Sequence, residues 1–87
     1  KGMTKIDKLI ERLNNKPKNF SYAELSSVLT HLGYTELKTG KTSGSRRAFI
    51  RQESQHIIRL HKPHTKQILK IYQIEYIISE LKKEKVI

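Results

Sequence analysis

The stretch that most constrains the fold of this chain covers residues 40–64, which read GKTSGSRRAFIRQESQHIIRLHKPH. Residues 46–52 and 56–61 combine large apolar side chains with basic ones, and only the polar residues 53–55 separate them. Two such segments around a short polar turn predict an antiparallel β-hairpin. Residues 39–45 hold two glycines, two threonines and two serines, a composition that excludes a regular helix or strand there. The fold must therefore accommodate a sheet built from a local hairpin.

Residues 4–15 have the apolar spacing of an amphipathic helix. Thr4 is followed three residues later by Asp7, a pattern that caps a helix start, and Pro17 lies just beyond the end of the segment. The apolar side chains recur at i, i+3, i+4 and i+7, which places them in one stripe. The members of this stripe are Ile6, Leu9, Ile10 and Leu13.

A second helix begins at the capping-box sequence of residues 21–24, Ser-Tyr-Ala-Glu. Phe20 lies directly before this cap and can pack on Leu25 as a hydrophobic staple. Gly33 stands where the glycine that ends a helix is expected. The apolar stripe of this helix consists of Leu25, Val28, Leu29 and Leu32.

The remaining segments predict one more strand and one more helix. Residues 34–38 have the composition of a strand, Pro63 ends the second strand of the hairpin, and Thr65 can cap a last helix over residues 66–83. This helix is apolar around most of its circumference, so we expect most of its surface to be buried. Its apolar side chains are Ile68, Leu69, Ile71, Tyr72, Ile74, Ile77, Ile78 and Leu81.

The predicted order is helix, helix, three strands, helix in a single domain that spans residues 1–87, because no repeat or long linker divides the chain. This order predicts an α+β fold with a three-stranded antiparallel sheet packed on helices. One face of such a sheet is buried under the helices, and the other can stay open to solvent. In the last strand, Ile58 and Leu60 point to one face, whereas Ile57, Arg59 and His61 point to the other, which we expect to be the open one.

Charge is the feature of the composition that bears most on function. The net charge is +10, and residues 38–70 hold nine Lys or Arg side chains against one acid, Glu53. Charge gathered in this way indicates an acidic partner, either nucleic acid or an acidic protein, although a merely solvated basic face is the alternative.

The absence of cysteine favours a reducing cytoplasm. No apolar run reaches the roughly 20 residues that span a bilayer, so we expect a cytoplasmic protein with no membrane partner.

Several blocks of this chain resemble the HicA toxin family of bacterial toxin–antitoxin pairs. The resemblance covers residues 20–81, with the family's order and spacing of blocks, and residues 4–15 look like an addition to a core of residues 20–83. The blocks are FSYAEL at residues 20–25 leading to LGY at 32–34, SGSRRAF at 43–49, LHKPH at 60–64, and LK at 69–70 with II at 77–78.

The resemblance implies a fold like that of the double-stranded-RNA-binding domain (dsRBD-like). It also implies a metal-independent ribonuclease that cleaves messenger RNA and is held inactive by a HicB-like antitoxin. The family carries a catalytic histidine directly after Gly-Ser on the second strand, whereas Gly44-Ser45 is followed here by Arg46. An arginine stays protonated in a protein and cannot act as a general base, so the catalytic role does not carry over directly to position 46.

Cleavage of RNA without a metal uses the 2′-OH of the substrate as the nucleophile. The protein must then move protons and stabilise charge on the phosphate oxygens. His61, at the end of the last strand, is the first candidate for proton transfer, and His64 is the second. Arg46 can hold two phosphate oxygens with its planar fork. Structural roles are the alternative, since His64 can cap the last helix and His61 can be an ordinary strand-end residue.

The histidines also raise the question of a metal site. His56, His61 and His64 are close in sequence, and three imidazoles can hold zinc. Strand alternation, however, puts His56 and His61 on opposite faces, and carboxylates are missing from the neighbourhood. We therefore expect no metal and no cofactor. His56 has no evident role, and His31 suits the negative end of the second helix dipole.

The facing of residues 46–52 is ambiguous, because alternation allows either Phe49 or Ile50 to be buried. The family pattern buries Phe49 and exposes Arg46, and we follow it because Phe49 is the largest apolar side chain of the segment. The Gly/Ser loop can offer backbone N–H groups to a phosphate. The candidate RNA-binding residues are Lys38, Lys41, Ser45, Arg47, Arg51, Arg59, Lys62 and Lys66.

These observations support the hypothesis of an RNA-cleaving toxin of the HicA type. One rival is an RNA-binding module of the same fold without catalysis, in which Arg46 marks the loss of activity. Another is a basic domain that binds only an acidic antitoxin. Binding and cleavage of RNA in the presence of EDTA separate the three.

Overall fold

The computed structural model describes residues 4–37, 46–63 and 67–87, which form an α+β fold. Within these residues the three strands make one antiparallel sheet in the order β1-β2-β3, so that β1 and β3 are its edges. The predicted class and element order are confirmed. The elements are α1 (Lys5–Asn14), α2 (Tyr22–His31), β1 (Tyr34–Leu37), β2 (Arg46–Arg51), β3 (His56–His61) and α3 (Ile71–Lys83).

Both predicted capping boxes are present. The Thr4 hydroxyl accepts a hydrogen bond from the Asp7 N–H at 3.1 Å, and the Asp7 carboxylate accepts one from the Thr4 N–H at 3.1 Å. Ser21 and Glu24 make the same reciprocal pair at 3.1 and 2.9 Å. These bonds satisfy N–H groups that a helix start otherwise leaves without partners, which explains why α1 and α2 begin where the sequence predicts.

Glu24 also connects α2 to α1. Its second carboxylate oxygen accepts a hydrogen bond from Arg12 at 2.7 Å. Burial raises the pKa of Glu24, but the hydrogen bonds from the Ser21 N–H and from Arg12 outweigh it, so that the pKa lies below its ordinary value. The guanidinium of Arg12 also lies 5.1 Å from the centre of the Phe20 ring. The capping carboxylate therefore stays ionised and holds the two helices together.

The last helix begins later than predicted, at Ile71 rather than at residue 66. Residues 67–69 lie alongside the start of α2, where Ile68 forms an isolated antiparallel bridge with Ser21. On either side of this bridge the Tyr22 N–H donates to the Gln67 carbonyl at 2.8 Å and the Leu69 N–H donates to the Phe20 carbonyl at 2.9 Å. This pairing buries Leu69 and satisfies an N–H group in the first turn of α2. The predicted cap, Thr65, lies outside the described residues.

The core lies between the helices and one face of the sheet. Phe49 and Ile58 are fully buried there, as expected from the family pattern and from strand alternation. Leu13 of α1 is also fully buried and belongs to the same cluster. The other buried members are Phe20, Tyr22, Leu25, Val28, Leu29, Tyr34, Leu60, Leu69, Ile74, Ile77, Ile78 and Leu81.

The surface of α3 is less buried than its composition suggests. Tyr72 is 66% exposed and Tyr76 is 39% exposed, so the expectation that Tyr72 belongs to a largely buried helix surface is wrong. The buried residues of the helix instead lie on the opposite side and include Ile74 and Ile77. In the described part of the chain, none of the helices has the length and apolar character needed to cross a membrane.

Candidate functional site

The open face of the sheet is identified by the residues on its reverse. Phe49 and Ile58 are opposite each other in the register of β2 and β3, and both are buried against the helices. Because side chains alternate along a strand, the residues next to these two point the other way. The cross-strand pairs of the open face are therefore Arg46–His61, Ala48–Arg59 and Ile50–Ile57.

Arg46 and His61 face each other at one end of this open face, and both are exposed. The His61 carbonyl accepts a hydrogen bond from Gln73 Nε2 of α3 at 2.9 Å, so this carbonyl points away from β2. In an antiparallel sheet, two opposite residues whose backbone N–H and C=O groups point away from each other form a non-hydrogen-bonded pair. The side chains of such a pair lie closer together than those of a hydrogen-bonded pair. The guanidinium of Arg46 and the imidazole of His61 thus extend from adjacent backbone positions on one surface.

The rest of the open face is more apolar than the charge count suggests. Arg59 is exposed beside His61, but Ile50 and Ile57 are half-buried, and Leu37 of β1 is 38% exposed. The cations that the structure describes on this face are therefore gathered at one end, next to α3, rather than spread over the sheet. A bound polyanion would meet them at this end.

Arg51, a predicted RNA-binding residue, lies on the helix side of the sheet. Its guanidinium contacts the carboxylates of Glu53 at 2.9 Å and Glu84 at 3.1 Å, and its Nε donates to the Leu32 carbonyl at 3.3 Å. Only 22% of the side chain is exposed. Arg51 therefore does not contribute to the open face, because the alternation that buries Phe49 directs Arg51 to the same side, and its contact with RNA stays a prediction.

Arg47 also lies on the helix side of the sheet, for the same reason. Its Nε lies 3.5 Å from a carboxylate oxygen of Glu36, and this oxygen also accepts a hydrogen bond from the Tyr22 hydroxyl at 2.7 Å. Burial and the bond to Glu36 raise the pKa of Tyr22 well above its ordinary value. Lys62 lies at the margin of this cluster, with its ammonium 5.2 Å from the centre of the Tyr22 ring. Arg47 therefore does not contribute to the open face either, and its contact with RNA stays a prediction.

A groove runs between β3 and α3 beside the Arg46–His61 pair. It has a volume of about 340 Å³, and Tyr72 and Tyr76 form its helix wall. The Tyr76 hydroxyl accepts a hydrogen bond from the Arg59 N–H at 3.4 Å, which attaches the helix to the edge strand. The full lining is Arg59, Leu60, His61, Tyr72, Gln73 and Tyr76.

His56, which had no evident role in the sequence, is the centre of a hydrogen-bonded cluster on the helix side. Its Nδ1 lies 2.6 Å from the Tyr34 hydroxyl, and its Nε2 lies 2.9 Å from a carboxylate oxygen of Glu80. The bond to His56 is the main reason that the pKa of Glu80 is below its ordinary value. Burial, followed by the nearby Glu84, raises the pKa of Tyr34 to about 12.

One signal in the sequence could have identified this cluster. His56 has the same strand parity as Ile58, so the alternation that buries Ile58 also directs His56 toward the helices. A polar side chain in that position needs a partner, since burial without one is costly. Its partner Glu80 is 24 residues away, and periodicity alone does not identify it.

The described residues contain no group of three His, Asp or Glu side chains that could hold a metal ion. His56 and His61 lie on opposite faces of β3, as predicted. The other predicted site residues lie outside the described residues. They are the catalytic candidate His64 and the RNA-binding candidates Lys38, Lys41, Ser45 and Lys66.

Comparisons with known proteins show no family for this chain. No protein-family model matches it, and no curated protein or solved structure matches it either.

Proposed function

We propose that this chain binds RNA through the open face of its sheet and cleaves it without a metal, as a toxin of the HicA type. The single observation that carries the proposal is the cross-strand pairing of Arg46 with His61 on an exposed surface. This pair combines a group that can transfer a proton near neutral pH with a permanent cation that can hold a phosphate.

The proposed reaction is an internal transesterification. His61 accepts the proton of the 2′-OH as its oxygen bonds to the adjacent phosphorus, while Arg46 stabilises the charge on the non-bridging oxygens. The bond from phosphorus to the 5′-oxygen breaks, and this oxygen takes up a proton, for which His64 is the candidate donor. The products are a 2′,3′-cyclic phosphate and a new 5′-hydroxyl end, with no water consumed in this step.

The arrangement of elements supports the same proposal at the level of the fold. The order α2-β1-β2-β3-α3, with an antiparallel sheet covered on one face, is the order expected of a dsRBD-like core. A HicB-like antitoxin would neutralise the toxin in the cytoplasm by covering the open face, where half-buried apolar residues lie next to cations.

The test is cleavage of a single-stranded RNA by the purified chain in EDTA, with the 2′-deoxy version of the oligonucleotide as the substrate control. We expect cyclic-phosphate ends from the RNA and no cleavage of the 2′-deoxy strand. His61→Ala should lower the rate at least about 100-fold, the usual contribution of general acid–base catalysis. Arg46→Ala should lower it strongly as well, because the phosphate charge loses its partner.

Lys8→Ala is the matched control, since Lys8 is an exposed cation on α1, which contributes nothing to the open face. It should leave the rate unchanged. Binding of RNA without cleavage in EDTA would replace this proposal with that of a non-catalytic RNA-binding module. No binding at moderate salt would favour the domain that meets only an acidic protein.

A further inference from the structure

The wall that α3 contributes to the groove between β3 and α3 is aromatic and exposed. Of the four tyrosines in the sequence, Tyr22 and Tyr34 are buried, whereas Tyr72 and Tyr76 lie one helical turn apart on the exposed side of α3. Residues four apart are neighbours on a helix surface, so the two rings lie on the same side of α3 and both line the groove. Exposure of two large aromatic side chains at one place indicates a binding surface.

The groove is directly continuous with the proposed cleavage site. Its lining includes His61 and Arg59, and Arg46 lies opposite His61 across the sheet. Leu60, which is 7% exposed, contributes to the floor. A ligand in the groove would thus place a flat apolar part against tyrosine rings and an anionic part against arginine and imidazole.

The chemistry of the groove favours a nucleotide over a peptide strand. β3 is an edge strand, and a peptide would add to it through the outward N–H and C=O groups. At this place, however, the Arg59 N–H is bonded to the Tyr76 hydroxyl and the His61 carbonyl is bonded to Gln73 Nε2. Two of the backbone groups that strand addition would use are therefore already occupied by α3.

We propose that Tyr72 and Tyr76 form a nucleobase subsite in which a base next to the cleaved phosphate stacks on the exposed Tyr72 ring. Its own phosphate then contacts Arg59 at the rim. Base stacking on aromatic side chains is tolerant of sequence, because every base has a flat face. The subsite thus selects single-stranded RNA, whose bases are unstacked and accessible, and it deepens the proposed function, on which it rests.

The test measures RNA binding separately from cleavage. A fully 2′-O-methylated oligonucleotide cannot undergo the transesterification, so its affinity can be measured by fluorescence anisotropy in EDTA. We expect Tyr72→Ala to weaken this affinity by about 5-fold to 150-fold, the range for loss of one stacked base. Tyr72→Phe should retain most of the affinity, because the flat ring remains.

Two controls separate stacking from general damage. Ser79→Ala changes another exposed residue of α3, one that lies outside this groove, and should bind as the original chain does. An oligonucleotide that lacks bases but keeps the sugar–phosphate backbone should bind the Tyr72→Ala variant and the original chain equally. Because Tyr72 is 66% exposed, its replacement should leave the thermal melting temperature unchanged.

The outcomes distinguish this inference from the proposed function. If the original chain binds and cleaves RNA but Tyr72→Ala binds with the same affinity, the nucleobase subsite is wrong and the ribonuclease proposal stands. The groove would then be left to a protein ligand. If the original chain binds none of the oligonucleotides, both proposals fall together.

Discussion

At the scale of single residues, Gly33 shows how one position connects α2 to the sheet. Its φ of +97° lies in a region that side chains rarely adopt, although a Cβ there would have room, with the nearest atom of Arg51 3.8 Å away. The cost of a larger residue is therefore backbone strain rather than a clash. We expect Gly33→Ala to lower the free energy of unfolding by about 1–2 kcal/mol in urea denaturation. Ser27→Ala, an exposed change in α2, is the control, and an equal effect of both would contradict this account.

The residue scale is also where sequence reasoning succeeded and failed most clearly. Alternation along β3 correctly predicted that Ile58 is buried and His61 exposed, because this rule needs only neighbouring positions. It did not predict the partners of His56, since Tyr34 and Glu80 approach it only after the chain has folded. The face of the sheet to which a side chain points can be predicted from the local sequence, whereas its hydrogen-bond partner depends on tertiary packing.

At the scale of elements, the contact of α3 with the edge strand β3 depends on Gln73, the buried polar residue of the described chain. Its Nε2 donates to the His61 carbonyl at 2.9 Å, and its Oε1 accepts from the Lys70 N–H at 2.9 Å. The same side chain therefore caps α3 and fixes the strand end that carries His61. This explains why α3 starts at Ile71, a boundary that composition alone could not give, because the capping partner is a glutamine inside the helix.

Replacing Gln73 with Met should test this connection. The change keeps a similar volume but leaves the His61 carbonyl and the Lys70 N–H without these bonds. We expect the free energy of unfolding to fall by about 1–3 kcal/mol, measured by urea denaturation. Gln52→Met, an exposed glutamine in the turn after β2, should change it by less than about 0.5 kcal/mol. Similar values for both variants would show that the two hydrogen bonds contribute nothing measurable.

A cluster of carboxylates fastens the end of the β2–β3 hairpin to the last turns of α3. Glu80 accepts a hydrogen bond from His56 and contacts Lys83, while Glu84 contacts Ser54 and Arg51. The hydrogen bond from His56 lowers the pKa of Glu80 below its ordinary value of 4.5. The pKa of Glu84 is also lowered, and the hydrogen bond from Ser54 is the main cause. This packing therefore requires ionised carboxylates.

The sign of the resulting pH dependence follows from linkage. Because the folded chain holds these carboxylates at lower pKa values, the unfolded chain binds more protons in acid, and their stabilisation is complete only above pH 4.5. It is lost as the pH falls from 4.5 through the lowered folded-state values. Melting temperatures measured from pH 7 down to pH 3 should therefore fall less steeply for Glu80→Gln than for the original chain. Glu11→Gln changes an exposed residue of α1 and is the control, which should leave the slope unchanged.

At the scale of the whole molecule, the charge distribution of the fold differs from that of the sequence. Nine basic residues and one acid between positions 38 and 70 suggested a continuous basic face. Folding brings Glu36 to Arg47 and Glu84 to Arg51, and both acids come from outside that stretch. A count along the chain could not reveal this compensation, because it depends on which elements become neighbours.

The salt dependence of RNA binding should report this difference directly. Each cation that neutralises a phosphate on a single strand contributes about 0.7 to the slope of log K against log salt concentration. We expect Arg59→Ala and Arg46→Ala each to reduce the slope by about that amount, because both lie exposed on the open face. Arg51→Ala should leave the slope unchanged and lower the melting temperature instead, since its charge is matched by Glu53 and Glu84. Affinities of the 2′-O-methylated oligonucleotide at several salt concentrations supply the measurement. Equal slope changes for all three arginines would mean that the polyanion is attracted by net charge alone, without regard to the face from which each side chain projects.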